Sequence, residues 1–297
     1  MRVKSTLKNE FPHLYKLYCS YQERSYANLC KVNPKKAVEK KIGKIDWNNP
    51  KNINEKLQCL KLGEYYNNQI ITNCCDKVLV KEWIKTKGTI CKTAETYGVY
   101  DNPDQIRWSD LPNKFVIKCN HGSGYNIICD DKSKIDIIAI KQTLRKWLKE
   151  DYWTEFCETQ YKYIKKKIII EENLGHSIST YKFYCFNGQP KVMYISSNGE
   201  NGEIDKYFDF FDMNFQWQDI RLKYHMNNRE KIKKPECWNK LVEIVKSLSK
   251  EFKFVRVDLY VVKGDIYLSE MTFMPTGGYM SFDKPEVLIE WGNWLSI

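Results

Sequence analysis

The chain has 297 residues, 42% of them hydrophobic and 29% charged, with a formal net charge of +11. That is enough apolar material for one large domain or two to three coupled lobes, but no stretch reaches the ~18 consecutive apolar residues of a membrane span. The basic surplus draws acidic partners such as nucleotides, uronic-acid sugars, anionic lipid surfaces or nucleic acid, yet a lysine-rich solvated surface gives the same surplus, so charge alone names no partner.

The opening MRVKSTLKNEFPHLYKLYCS lacks the apolar region of a signal peptide. Eleven cysteines include the adjacent Cys74 and Cys75 but no CxxC, and His13, His121, His176 and His225 stand in no ligand spacing with them. The expectation is a cytoplasmic protein with reduced thiols and no structural zinc.

Residues 1–45 read as irregular helix, with Leu14, Leu17 and Tyr18 at helical spacing, until Trp47-Asn48-Asn49-Pro50 breaks the pattern. Asn54 is placed to cap a helix over EKLQCLKL. Asp76 is placed to cap one over DKVLVKEWIKTK, with Val78, Leu79, Trp83 and Ile84 on its apolar side. Short strands are expected at 96–100 and 114–119, with a return at 125–129. IDIIAIKQTLRKWLKE then spaces Ile137, Ile140, Leu144, Trp147 and Leu148 along one helical face.

From there the texture is β. IKKKIIIEENL, YKFYCFNGQPKVMYIS, KYFDFFD and FVRVDLYVVKGDIYLSEMTF read as strands, and Asn187-Gly188 marks a tight hairpin. One helix interrupts them, with Trp238, Leu241, Val242, Val245, Leu248 and Phe252 on one face. The expected class is α+β, mainly antiparallel, with a helical N-terminal region and no Rossmann-type alternation.

Two stretches carry chemistry. In KFVIKCNHGSGYNIICD, Lys118 lies inside an apolar strand and is followed by His121-Gly122-Ser123-Gly124. An edge lysine whose stem packs while its ammonium reaches water gives the same pattern. With the loop, the reading is an anion site, because two glycines let backbone N–H groups approach a phosphate. No P-loop is present, and no helix opens after the glycines.

In FVRVDLYVVKGDIYLSEMTFMP, Asp258 and Glu270 fall on neighbouring strands beside Arg256. Two carboxylates so placed suit Mg²⁺, which takes one or two of them plus phosphate oxygens; a salt bridge to Arg256 is the plainer alternative. Register decides between them. With a two-residue turn at Lys263-Gly264, Asp258 faces Ser269 and Glu270 points away, so a shared cation requires a longer loop or a bulge. That irregularity is expected. Glu171-Glu172, closing the apolar strand IIIEENLG, mark either its exit into water or a hinge that meets an adenine edge.

In this order the segments NPKNINEKLQCLKL, CCDKVLVKEWIK, LPNKFVIKCNHGSGYNII, IIIEENL, YKFYCFNGQPK and FVRVDLY…IYLSEMTFMPTGG resemble ATP-grasp enzymes, and more closely the TupA-like branch tied to bacterial cell-surface polysaccharide synthesis. The resemblance spans roughly residues 45–283. It implies two β-rich lobes clasping ATP: a helical region over 1–75, a small lobe with the glycine flap over 76–172, and a large lobe with the Mg²⁺ site over 173–297.

Carried over by position, it implies phosphate contacts from Lys77, Lys118 and the flap His121, Gly122, Ser123 and Gly124. Adenine contacts fall to Glu171, Glu172 and Leu174, Mg²⁺ ligation to Asp258 and Glu270, and catalytic roles to Arg256 and Lys182. The chain departs from the pattern at Lys81 (often arginine), Thr180 (often an acid) and Thr272 (usually asparagine), and Thr272 is left out of the metal set.

The activity implied is ATP-dependent carboxylate–amine ligation through an acyl-phosphate. The acid would be a uronic-acid sugar of a capsular or related glycan, joined to a small amine or amino acid. Peripheral contact with membrane-associated glycan machinery is expected, and no nucleic-acid partner. A glycosyltransferase, for which DFFD at 209–212 offers acids, and an ATP-dependent kinase are the alternatives.

Overall fold

The computed structural model describes residues 12–175, 178–197, 206–223, 225–227 and 232–297; His176 and the first eleven residues of the expected helical stretch lie outside them. Among the described residues, five helices precede the first strand: α1 (Pro12–Val32), α2 (Pro34–Ile42), α3 (Ile53–Leu62), α4 (Gln69–Cys75) and α5 (Leu79–Lys85). Helix α3 is capped by Asn52, whose side chain accepts from Glu55 N, and not by Asn54 as expected. Asn54 lies inside the first turn and is buried, exchanging two hydrogen bonds with the backbone of Met280 at 2.8 and 3.0 Å.

Asp76 Oδ1 accepts from Val78 N at 2.8 Å and Leu79 N at 3.4 Å, and the helix it introduces starts at Leu79, later than expected. The apolar side of α5 shifts accordingly. Val80 and Ile84 are buried, while Leu79, expected on that side, is exposed.

Two antiparallel sheets follow. The smaller holds β1 (Thr96–Tyr100), β2 (Phe115–Cys119), β3 (Asn126–Cys129) and β4 (Ile168–Glu172) in the order β1-β4-β2-β3. Helix α6 (Ile137–Lys149) covers one face, packing Ile140 and Leu144 against Phe115, Ile117, Ile168 and Ile170.

The larger sheet holds β5 (Thr180–Phe186), β6 (Gln189–Ser197), β7 (Tyr207–Asp212), β8 (Trp217–Gln218), β9 (Phe254–Val262) and β10 (Asp265–Thr272), ordered β10-β9-β5-β6-β7-β8. Asn187 and Gly188 join β5 to β6 with φ of 49° and 76°, the left-handed pair that a two-residue hairpin needs. Helices α7 (Trp238–Ser249) and α8 (Glu286–Trp294) complete the described α-helices.

The N-terminal helices do not form a core of their own. Cys30, Val38, Leu57, Ile71 and Val80 share one apolar core with Phe183, Val257 and Met271 of the larger sheet. From Cys30 onward the region expected as separate therefore shares the core of the large sheet, and α5 goes with it. The segment before β1 clips to the edge of β10: Lys92 N donates to Ile266 O, and Leu268 N to Lys92 O, both at 2.8 Å. The two sheets are thus tied at one edge and face each other across a cleft.

Candidate active site

Strand alternation sends Val255, Val257 and Leu259 of β9 into the core and Arg256 and Asp258 to the other face. The β9–β10 turn is the regular two-residue form, with Lys263 and Gly264 at φ 52° and 85°. The expected irregularity lies further along β10. Pairing shifts between Leu268 and Glu270, leaving Ser269 as the extra residue and Glu270 opposite Asp258. Lys182 on β5 also pairs with Asp258, so Lys182, Asp258 and Glu270 form a row across three strands. Arg256 and Thr272 pair in the next row.

Asp258 is 1% exposed and surrounded by cations. Arg256 grips it through Nε and Nη2, each at 2.7 Å, and Lys182 Nζ lies 3.2 Å from Oδ2. Arg256 Nη2 also donates to Thr272 Oγ1 at 3.1 Å. The salt bridge held open as an alternative is therefore present at Asp258.

Glu270, by contrast, faces the looser Lys77, 3.9 Å away. Among the described residues no group of three or more His, Cys, Asp or Glu comes together. The donors here are hard oxygens, two carboxylates and a hydroxyl on one face. That set suits Mg²⁺, which fills its remaining positions with phosphate oxygens and water.

The smaller sheet supplies the cations opposite. Lys118 of β2 and Lys81 of α5 both pair with Glu171 of β4; Lys81 Nζ is 2.8 Å from Oε2. Glu171 is buried, which excludes the reading of a strand simply exiting into water. Burial alone would raise its pKa, but the two ammonium groups outweigh that and hold it below the usual carboxylate range. Burial likewise works against the charge of Lys118, and Glu171 outweighs it; Tyr260 and Glu270 of the larger sheet add to the effect. Two lysines sharing one carboxylate leave a net positive charge facing the cleft.

Lys77 bridges the halves. Its Nζ donates to Gly122 O at 2.5 Å while standing beside Glu270. The loop itself is held by Asn120, which exchanges bonds with Lys165 O and Lys167 N at 3.0 and 2.7 Å. Gly122 has no room for a side chain, since a Cβ there would fall 2.6 Å from the ring of Tyr152.

His121 points elsewhere than expected. Its imidazole is buried in the small lobe, with Nε2 3.1 Å from Trp147 O and the ring 5.2 Å from that of Tyr125. Only its backbone belongs to the flap. Glu172 lines a separate cavity of about 370 Å³ with Lys81, Cys91 and Tyr267. Leu174 lies half-buried just beyond.

A cavity of about 150 Å³ opens between flap and acid strand, lined by Ser123, Arg256, Glu270 and Thr272 and walled by Tyr152, Phe156 and Tyr161. Glu158 also lines it, and sequence reasoning missed it. This carboxyl is 4% exposed; burial pushes its pKa upward, partly offset by Lys61. Lys61 is fully buried, and its Nζ donates to Phe156 O and Gly277 O, each at 2.9 Å. The available signals were an acid bracketed by aromatics in WTEFCETQYKYI, and Asn54, Gln58 and Lys61 at i, i+4, i+7 on α3. Of the acids of DFFD, Asp212 accepts at Oδ1 from the turn amides of Asn214 and Gln216, at 2.9 and 2.8 Å.

The TupA-like ATPgrasp family matches residues 55–293. No curated protein matches the chain. Similar solved structures include a D-alanine–D-alanine ligase from Bacillus anthracis, 18% identical with a TM-score of 0.44 over 68% of this chain and 57% of that one. An L-amino acid ligase from Bacillus licheniformis is 12% identical, with a TM-score of 0.46 over 69% of this chain and 44% of that one. The chain thus spans little more than half the length of the first of these and less than half of the second. The family match covers both sheets, the flap and the acid strand, and on that ground the chain belongs to the TupA-like ATP-grasp family and has the ATP-grasp fold.

Proposed function

We propose that this protein is an ATP-dependent carboxylate–amine ligase. It would activate the carboxylate of a uronic-acid sugar, in a capsular or other cell-surface glycan, and join it to a small amine. The observation that carries this reading is the position of Lys77, bonded to the flap at Gly122 and 3.9 Å from Glu270. The phosphate-binding cations and the paired acids therefore address one cleft.

In that cleft Lys77 and Lys118 would neutralise phosphate charge, and the hinge after Glu171 would meet the adenine, with Glu172 in the separate cavity beside Lys81 and Leu174 just beyond. Arg256 and Lys182 would stabilise charge at the transferring group. Asp258 and Glu270, with the Thr272 hydroxyl nearby, would hold Mg²⁺, whose role is to neutralise the phosphate oxygens. The substrate carboxylate attacks the γ-phosphate, giving an acyl-phosphate and ADP; the amine then displaces phosphate. Ser123 and Gly122 over the cleft would exclude water that would otherwise consume the acyl-phosphate.

The test is a screen of amines against glucuronate-type acids, read by ADP and phosphate release. Release that requires both acid and amine supports ligation. Release with the acid alone, accompanied by a stable phosphorylated sugar, identifies a kinase instead.

A further inference from the structure

Glu158 is a carboxylate buried beside the reacting groups that the mechanism above does not use. The backbone fixes it there. Glu158 N donates to Trp153 O at 2.7 Å, and the next residue, Thr159, ties its hydroxyl to Lys61 O at 2.9 Å. Gln160 Nε2 lies 3.2 Å from Glu158 Oε1 and orients the carboxyl. The cavity it lines also touches Arg256 and Glu270, so a molecule held there lies next to the transferring phosphate.

Charge decides which substrate that is. An incoming carboxylate would meet both Glu158 and Glu270, and Arg256 is already engaged by Asp258. An ammonium group meets complementary charge.

We propose that this cavity seats the amine substrate, a primary amine without a carboxylate, and that Glu158 binds its ammonium and takes its first proton. This rests on the ligase reading. Loss of that proton frees the nitrogen lone pair, which forms the C–N bond as the acyl carbon–oxygen bond breaks. Phosphate leaves with the bonding pair and the amine's second proton. Lys61, behind the cavity, holds Phe156 and Gly277 by their carbonyls and so fixes two of its walls.

The experiment measures MgATP and then ethanolamine or glycine binding, by calorimetry with the non-hydrolysable analogue AMP-PNP and Mg²⁺ present, in wild type and Glu158→Gln. The expected result is unchanged nucleotide affinity in both proteins, ethanolamine bound more tightly than glycine by wild type, and ethanolamine weakened about 10- to 100-fold by the amide. Ethanolamine binding that is absent from nucleotide-loaded wild type, no tighter than glycine, or equal in the variant overturns the amine site while leaving the ligase reading intact. Failure of wild type to bind MgATP overturns both. Should Glu158→Gln not fold, Phe156→Trp fills the same cavity from its wall, and ethanolamine binding unaffected by that change overturns the proposal equally.

Discussion

Arg256 and Asp258, two residues apart on β9, close a double hydrogen bond of 2.7 Å at each contact on the cleft face of the larger sheet. The pair is buried, and Lys182 adds a second cation to the same carboxylate. Removing Asp258 would leave two positive groups with no counter-charge in a poorly solvated place. Asp258→Ala is therefore expected to cost about 3–5 kcal/mol of stability, while Asp258→Asn, which keeps acceptor and shape, costs less. Urea unfolding of the two variants checks this; equal, small losses would show the pair to be only loosely desolvated.

The cleft separates binding from turnover. Lys118 lies on the cleft side of one sheet, and Glu270 on that of the other. Lys118→Ala leaves Glu171 paired with Lys81 alone and is expected to lower ATP affinity about 100-fold, the loss of one charged contact of roughly 3 kcal/mol. Glu270→Ala should keep nucleotide affinity within about threefold and cut turnover by about a thousandfold, since charge stabilisation at the transferring group is lost. Nucleotide titration alongside ADP release distinguishes the two. Normal turnover by Glu270→Ala would remove the metal assignment.

Much of this site could be read from the sequence where side-chain direction follows a simple period. Alternation placed Arg256 and Asp258 on one face, and the register conflict at Lys263-Gly264 required an irregularity, found as the bulge at Ser269. Direction was not legible in the glycine loop, where no period applies, so His121 was expected over the phosphates and instead packs on Tyr125 and bonds the carbonyl of Trp147. Capping failed at Asn54 because Asn52, two residues earlier, makes the same bond and releases Asn54 to hold Met280. Glu158 lies in an irregular segment, and its neighbour Lys61 comes from a helix almost a hundred positions away; only the fold brings them together.

The two flap glycines are expected to respond differently. A methyl group at Gly122 would meet the Tyr152 ring at 2.6 Å, so Gly122→Ala must displace the loop and with it the carbonyl that Lys77 uses. A stability cost of about 1–3 kcal/mol is expected, together with weaker ATP binding. Gly124 has open space but a φ of +77°, so Gly124→Ala pays about 1 kcal/mol in backbone strain without moving Lys77. Nucleotide titration of both variants reads the contrast, and equal affinities would show that the loop position does not govern phosphate binding.

Acid sensitivity should be traceable to His121. Burial, with Lys166 and Lys77 adding to it, lowers its pKa from 6.5 to about 4 against the opposing bond to Trp147 O and the charge of Glu150. The folded protein thus holds it neutral where the unfolded chain takes up a proton. Its contribution is fully present above about pH 6.5 and is lost as pH falls toward 4. Glu158 works in the opposite sense: its pKa is raised by burial, so folding gains from its protonation as pH falls, and the wild-type profile alone mixes the two. His121→Phe separates them, because the ring still packs on Tyr125 and the titration is gone. The variant should be about 1 kcal/mol less stable than wild type at pH 7.5 through the lost hydrogen bond, and the deficit should close or reverse by pH 5. Urea unfolding at both pH values is the measurement; a deficit that stays constant would mean that His121 takes up its proton as readily folded as unfolded.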